Sequence, residues 1–487
     1  MMNKTILITV FSSLLLSQVS FAACEFFPDM EKQILNTNPN RINCIKEAKF
    51  ILPKPVKKTT EEIISGPKVD ESEIKADSTI HCRYFYRYQN GASNKFRCVR
   101  TNEKNQMMSE KGDVVPDAVG ISNMTVDGKL EEDVMLKADK SVITYVSKKG
   151  ETKPMIADVL KVRFKSSIEG LKTMSELTEW RHREAYTSSA ASRLAWMMGF
   201  PSENYYPVKE VVCFGCDTDP WKDGLNPQKT VANKTNIFPG ASIERKFNGK
   251  RIMKAYTSNP ALGKTFANTP WRWDEYINGL YNSISQKTEK PILTEQQKHE
   301  LQMLVLFINL VHTVEERGSQ HVMLCEDKDV TKDQNGKKVC LAPIAGTHDL
   351  GSAFGNRDSK FVKKGNHPRG DFMSYKALNM FLDNKCTLAA QPGRGPEKNL
   401  KPLTTVSEAA RKEFVERLDL VSREDLMAVL KVSHFEDMDM IFKRGVAKEF
   451  NLKDDALNQK VLQLWTDLIY SKMDQFRKAQ CANQSPI

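Results

Sequence analysis

Residues 346–355 read GTHDLGSAFG, so Asp349 closes an apolar stretch and is followed by Leu350 and Gly351. An aspartate at the end of a buried strand displays its carboxylate at a strand terminus, and the glycine behind it permits a sharp backbone turn. Alone the triplet is a weak signal, because an aspartate there also serves as a plain turn cap. Its neighbours must decide between the two. The ten cysteines are a second source of chemistry. Cys82 and Cys98 flank two alternating aromatic runs around Asn90-Gly91, the signature of a hairpin with a cross-strand bridge. Cys325 and Cys340 bracket a polar tip. Cys24 with Cys44, and Cys386 with Cys481, are the economical remaining pairs, although spacing does not fix the connectivity. Cys213-Phe-Gly-Cys216 admits a bridge within a loop, half of a zinc site, or a redox pair. No second CxxC stands nearby and no thioredoxin-like βαβ pattern surrounds it, which favours the structural bridge.

Other motifs carry less. Leu262-Gly263-Lys264-Thr265 imitates the end of a phosphate-binding loop, but Ser258 stands where the first glycine belongs. Arg369-Gly370-Asp371 is an RGD tripeptide in a polar loop, and His299-Glu300 lacks the second histidine of a zinc helix. His312 ends an apolar run and reads as a core histidine.

The elements that must position these residues change character along the chain. Residues 1–22 have a short cationic start, an apolar run and small residues at Ser20-Phe21-Ala22, the pattern of a cleaved signal peptide. Residues 23–78 suggest short helices followed by a Pro/Lys/Glu/Ser-rich connector over 51–78. Residues 79–140 read as a strand-rich extension with the 82–98 hairpin, and 141–270 as a second strand-rich region. In the latter, LKVRFK puts Leu160, Val162 and Phe164 on one face and Lys161, Arg163 and Lys165 on the other. A helix is expected from about Thr173 to Met198, ended by Gly199. Residues 271–487 are helical in pattern. Within them 301–312 (LQMLVLFINLVH) carry no full charge and are too few to span a bilayer, so they predict a central buried helix. Strands over HVMLC and CLAPIAGTHDL follow, then four or five helices over 372–480. A strand-rich half before a helical half suggests two lobes with a cleft between them.

This helix–loop–strand–DLG order resembles the catalytic core of the protein-kinase-like fold. More narrowly, SAASRLAWMMGF, VVCFGCDTDPW, the Cys325–Cys340 insertion and HDLGSAFG resemble a group of exported bacterial proteins with such a core. The resemblance spans roughly residues 140–480 and implies an α+β fold: a two-lobed kinase-like body, with a strand-rich N-lobe and helical C-lobe, behind an N-terminal disulfide-stapled extension. It also implies roles. VRFK corresponds to the strand that supplies a phosphate-pairing lysine, which is Lys165, and Glu184, nineteen residues on, is its ion-pair partner. Asp349 corresponds to the metal-binding aspartate. In TVEERGSQHVML, Glu315, Arg317 and Gln320 stand at the offsets of the family's Asp-x-Lys-x-x-Asn loop. Phosphoryl transfer needs a lysine on the α/β-phosphates, carboxylate and amide oxygens on Mg²⁺, and a base for the acceptor hydroxyl. Lys165, Asp349, Gln320 and Glu315 would fill these roles, with ATP and Mg²⁺ or Mn²⁺ as cofactors. The departures predict weakened chemistry. Glu for Asp lengthens the base by a methylene, a displacement of ~1 Å can cost ~10²-fold in rate, and 147–154 hold a single glycine where a phosphate loop belongs. A pseudokinase that keeps ligand binding is therefore an expected alternative, as is a bland surface ion pair for Lys165 and Glu184.

Composition bounds the rest. Across 487 residues, 40% apolar and 8% aromatic suffice for real cores, and no second long apolar run follows the leader, which excludes a polytopic membrane protein. The net charge of +11 is spread along the chain. It fits a solvated basic surface, or an envelope protein that binds an anionic polymer, lipid or partner protein, better than a nucleic-acid binder. The leader and the paired cysteines predict an exported protein, periplasmic or secreted. Phe21-Ala22-Ala23 lacks the leucine expected before an acylated Cys24, which argues against a lipoprotein anchor. The acceptor substrate is not legible.

Overall fold

The computed structural model describes residues 24–26, 39–68, 74–85, 94–115, 118–122, 142–147, 149–164, 183–218, 220, 234–245, 249–252, 257–259, 263–265, 293–313, 321–347, 350–355, 370–388 and 405–482. The leader, the hairpin tip at 86–93, the N-terminal part of the expected 173–198 helix and the 271–284 segment lie outside the described residues. So do Lys165, Glu315, Arg317, Gln320 and Asp349.

The chain is mixed α+β. Among the described residues the largest sheet has seven strands in the order Thr235–Pro239, Glu210–Phe214, Thr79–Tyr84, Lys95–Thr101, Val159–Arg163, Ser242–Arg245 and Asn204–Pro207. All neighbours are antiparallel except Thr79–Tyr84 beside Glu210–Phe214. The ranges 79–140 and 141–270 thus contribute strands to one sheet. KFRCV and VLKVRF alternate residue by residue, and the pleat sends the two sets to opposite faces. Phe96, Cys98, Leu160, Val162, Phe164 and Ile243 join Phe238 in one core, where the Phe96 and Phe238 rings stand 4.9 Å apart. Lys95, Arg97, Lys161, Arg163, Ser242 and Glu244 share the other face, because Lys95 pairs with Arg163, Arg97 with Lys161, and both Ser242 and Glu244 with the same strand. Further along that face Val99 and Val159 meet Met107 and Ile143, under a three-stranded sheet of Ala118–Ser122, Val142–Val146 and Thr152–Ile156.

The helical half is built around Glu295–Val311. Thr294 and Gln297 form a reciprocal capping box at its start, and Leu301 and Met303 through Val311 are buried. Among the described residues of 370–482 five helices follow: Phe372–Lys376, Glu408–Leu418, Arg423–Val432, Met440–Phe450 and Asp454–Lys478. Trp465 is fully buried among Phe372, Phe435, Phe442 and Tyr375. His321–Cys325 and Ile344–Thr347 pair antiparallel beside Lys250–Arg251. Among the described residues no helix is long and apolar enough to cross a membrane.

The 51–78 connector contains a helix, Thr60–Ser65, started by a Thr59/Glu62 capping box. The T-x-x-E spacing that forms it was present in a stretch whose prolines suggested only linker. The cysteines stand in five disulfide pairs, Cys24–Cys44, Cys82–Cys98, Cys213–Cys216, Cys325–Cys340 and Cys386–Cys481, with Cα separations of 4.6 to 5.8 Å. This range suits disulfide geometry. Truncating Trp465 removes the shared partner of four rings. Trp465→Ala is expected to cost about 3–5 kcal/mol in denaturant unfolding, and a loss below about 1 kcal/mol would contradict its central place.

Candidate functional site

The Glu184–Met198 helix lies on the charged face of the seven-stranded sheet and is closed in almost all round. Of its fifteen residues only Trp196 is partly exposed. Such enclosure explains its run of small residues, TSSAAS, which lets neighbouring backbones approach. Glu184 opens the helix, where a carboxylate is favoured by the free N–H groups of the first turn. Its carboxylate bonds the guanidinium of Arg163. Arg163 also donates to Glu244, from Nε at 3.3 Å and Nη2 at 3.1 Å, and to the Tyr205 hydroxyl at 3.3 Å. Lys161 reaches Glu244 at 2.6 and 2.7 Å from its two oxygens. Tyr205 donates to Glu203 at 3.3 Å, and Arg251 stands 3.6 Å from the same carboxylate. Burial lowers the Arg251 pKa, an effect opposed by Glu203 and Glu244. Arg163, Glu184, Glu203, Glu244 and Tyr205 are each at most 3% exposed.

The same helix grips the segment that follows Asp349. Thr187 Oγ1 donates to Gly351 O at 2.6 Å, and Arg183 Nη1 to Gly370 O at 3.2 Å. Ser189 and Ser242 hydroxyls meet at 2.9 Å, which fixes the helix to the sheet. The backbone of Glu203 donates to Thr347 O at 3.3 Å. Thr347 pairs in register with His321. Gln320 directly precedes His321 in the chain, and Asp349 stands two residues after Thr347. A continuous set of polar contacts therefore runs from Lys161 through Arg163, Tyr205 and Glu203 to the strand that leads into Asp349.

Of the sequence-nominated residues, Glu184 is described, and it meets Arg163. Lys165, the partner expected for it, lies outside the described residues, as do Glu315, Arg317, Gln320 and Asp349. Among the described residues no three His, Cys, Asp or Glu side chains are grouped to hold a metal ion. Sequence reasoning passed over Lys161, Arg163, Glu203, Tyr205, Glu244 and Arg251. One usable signal existed: KFR at 95–97 and KVR at 161–163 carry cations at the same two-residue spacing, as two neighbouring strands sharing a charged face must.

The buried triad gives a stability test. Arg163→Met takes the guanidinium from two buried carboxylates, leaving Glu244 to Lys161, and is expected to cost about 3–5 kcal/mol, with Arg163→Met/Glu184→Gln recovering part of the loss. A single variant within about 0.5 kcal/mol of the parent in denaturant unfolding would contradict the network. A second test concerns the turn Phe435–Asp437 against the same helix. Burial pushes the Glu436 carboxyl up to about 7, with Asp437 adding to the effect and Lys443 and Lys431 opposing it. Among the described residues its buried Oε2 has no hydrogen-bond partner. Between pH 4.5 and 7 the folded state holds a proton that the unfolded chain has released, so Glu436 lowers stability as pH rises through that window. Glu436→Gln is expected to flatten this part of the stability–pH profile. An unchanged slope would refute the assignment.

No protein-family model matches the chain, and no curated protein matches it significantly. Among solved structures, the crystal structure of a Helicobacter pylori proinflammatory kinase, CtkA, aligns with 73% of this chain and 94% of its own, at 9% identity and a TM-score of 0.31. Values that low assign neither a fold nor a function to the chain.

Proposed function

We propose that the protein is an exported kinase-like protein that binds a nucleotide with a divalent metal and acts as a phosphotransferase, or as a weakened descendant that keeps the binding step. One observation carries the reading. A single buried helix, Glu184–Met198, bonds the charged sheet face through Arg163 and the turn after Asp349 through Gly351. Coupling a cationic strand to the turn that follows an aspartate in the chain suits phosphoryl transfer, since its catalysis is mostly positioning and charge stabilisation. In this reading Lys165, two residues along the chain from Arg163, would pair the nucleotide phosphates. Asp349 and Gln320 would hold Mg²⁺ or Mn²⁺, and Glu315 with Arg317 would face the acceptor. Glu315 in place of an aspartate and Gln320 in place of an asparagine set the ligand oxygens about one methylene away, so slow turnover is expected. The five disulfides support an oxidising compartment, and export is part of the proposal. The net charge of +11 favours one further reading, a non-enzymatic protein that binds an anionic polymer, lipid or partner through its surface.

Thermal unfolding of the oxidised protein separates the two. With ATP and Mg²⁺ or Mn²⁺ at ~100 times the dissociation constant, binding adds ~2.7 kcal/mol of stability. The expected result is a metal-dependent rise in Tm that Asp349→Ala abolishes while the unliganded Tm stays put. Absence of any shift, or a shift that Asp349→Ala retains and added salt removes, would overturn the cleft and leave surface binding in its place.

A further inference from the structure

Eight of the ten cysteines lie in two groups of four that the strand register brings together. In one, Cys82 is the register partner of Cys213 on the adjacent parallel strand, while Cys82 is bonded to Cys98 and Cys213 to Cys216. In the other, Cys24 is the register partner of Cys340 on the adjacent antiparallel strand, while Cys24 is bonded to Cys44 and Cys340 to Cys325. Register partners on neighbouring parallel strands stand about 4.8 Å apart and share a face. That spacing lies inside the Cα range of a disulfide. Cys82, Cys98, Cys213 and Cys216 all belong to one core cluster and are fully buried.

The two bonds of the first group differ in what holds their ends. Cys213 sits within Glu210–Phe214, which is paired on both sides, with Thr79–Tyr84 and with Thr235–Pro239. Cys216 lies three residues on, past Gly215 at φ +76°, in the turn after the strand, where Asn236 donates to its carbonyl at 2.8 Å. Opening the Cys213–Cys216 bond leaves Cys216 in its turn, held by Asn236, while the ladder keeps Cys213 beside Cys82. A thiolate held next to a disulfide sulfur is the geometry of exchange.

We propose that Cys82, Cys98, Cys213 and Cys216 form one disulfide-exchange unit within the folded sheet. A dithiol reductant transfers two electrons and two protons to Cys213–Cys216, leaving two thiols and its own disulfide. The Cys213 thiol loses its proton, and its thiolate attacks Cys82 Sγ. A Cys82–Cys213 bond forms, the Cys82–Cys98 bond breaks, and the released Cys98 thiolate takes up a proton. The exchange step is redox-neutral. Its product links two neighbouring strands and carries free thiols at Cys98 and Cys216. Reduction of the Cys213–Cys216 bond is thereby relayed to the Lys95–Thr101 strand, which bears Lys95 and Arg97 on its opposite face. Because the Thr79–Tyr84 and Glu210–Phe214 strands stay paired throughout, the exchange step itself needs no unfolding, and only the first reduction needs a local opening at the buried Cys213–Cys216 bond.

The test reads bond positions directly and is independent of nucleotide binding. The full chain carrying Cys216→Ser is purified oxidised, held at pH 8, quenched with an alkylating reagent and mapped by non-reducing peptide mass spectrometry. The expected result is a Cys82–Cys213 cross-linked peptide with the label on Cys98. Label on Cys213 alone, with Cys82–Cys98 intact, overturns the proposal. The parent protein, treated with less than one equivalent of dithiothreitol, gives the same reading without a substitution. There the label is expected on Cys98 and Cys216 together, and a product labelled on Cys213 and Cys216 that persists unchanged with time overturns it.

Discussion

One buried cation between two buried carboxylates governs the arrangement of everything around it. Arg163 projects from the sheet, donates to Glu184 from the helix on one side and to Glu244 from the neighbouring strand on the other, and is 1% exposed. Removing such charges from water costs several kcal/mol per ion, and the cost is offset only where each group is fully bonded. The triad therefore contributes little net stability, yet it penalises any slip of the helix along the sheet, since a shift of one residue would strand a charge. Its effect is to select one position of the Glu184–Met198 helix.

A different arginine holds the other end of that helix. Gly199 ends it with φ +75°, and a side chain there would collide with the Arg417 guanidinium, Pro55 and the carbonyl of Pro53. Arg417 donates to Met198 O at 2.9 Å and to Leu52 O at 3.1 Å, so the last turn of the helix and the connector share one donor from Glu408–Leu418. The helix is thus a strut with one end fixed to the sheet and the other to the helical half. Between its ends Thr187 takes hold of Gly351. The same strut sets the separation between the cationic strand and the turn after Asp349.

How much of this was legible in the sequence depended on whether a pattern was local. The 159–163 strand, the Glu295–Val311 helix and the five C-terminal helices all announce themselves by period, and the Cys82–Cys98 hairpin by its alternating aromatic runs. The charged face did not. Alternation in LKVRFK separated apolar from polar residues correctly, but a polar face is ordinarily a solvated one. Nothing within the strand shows that Glu244, some eighty residues on, and the Glu184 helix would cover it. The pairing of Glu184 with Arg163 is a tertiary fact of the same kind. The capping box at Thr59 and Glu62 was local and could have been read, but Pro53, Pro55 and the lysines around it masked it.

The order in which the cysteines pair has a topological consequence. Every bond joins a cysteine to the next one along the chain, from Cys24–Cys44 to Cys386–Cys481. The covalent graph is therefore five rings in series, none nested in or crossing another. A chain of this kind can close each ring as soon as its second cysteine emerges from a ribosome or a translocation pore. No ring has to wait for a later segment to thread through it, and the widest, spanning 95 residues, closes last. Contact between different rings depends instead on strand register, which sets Cys82 beside Cys213 and Cys24 beside Cys340.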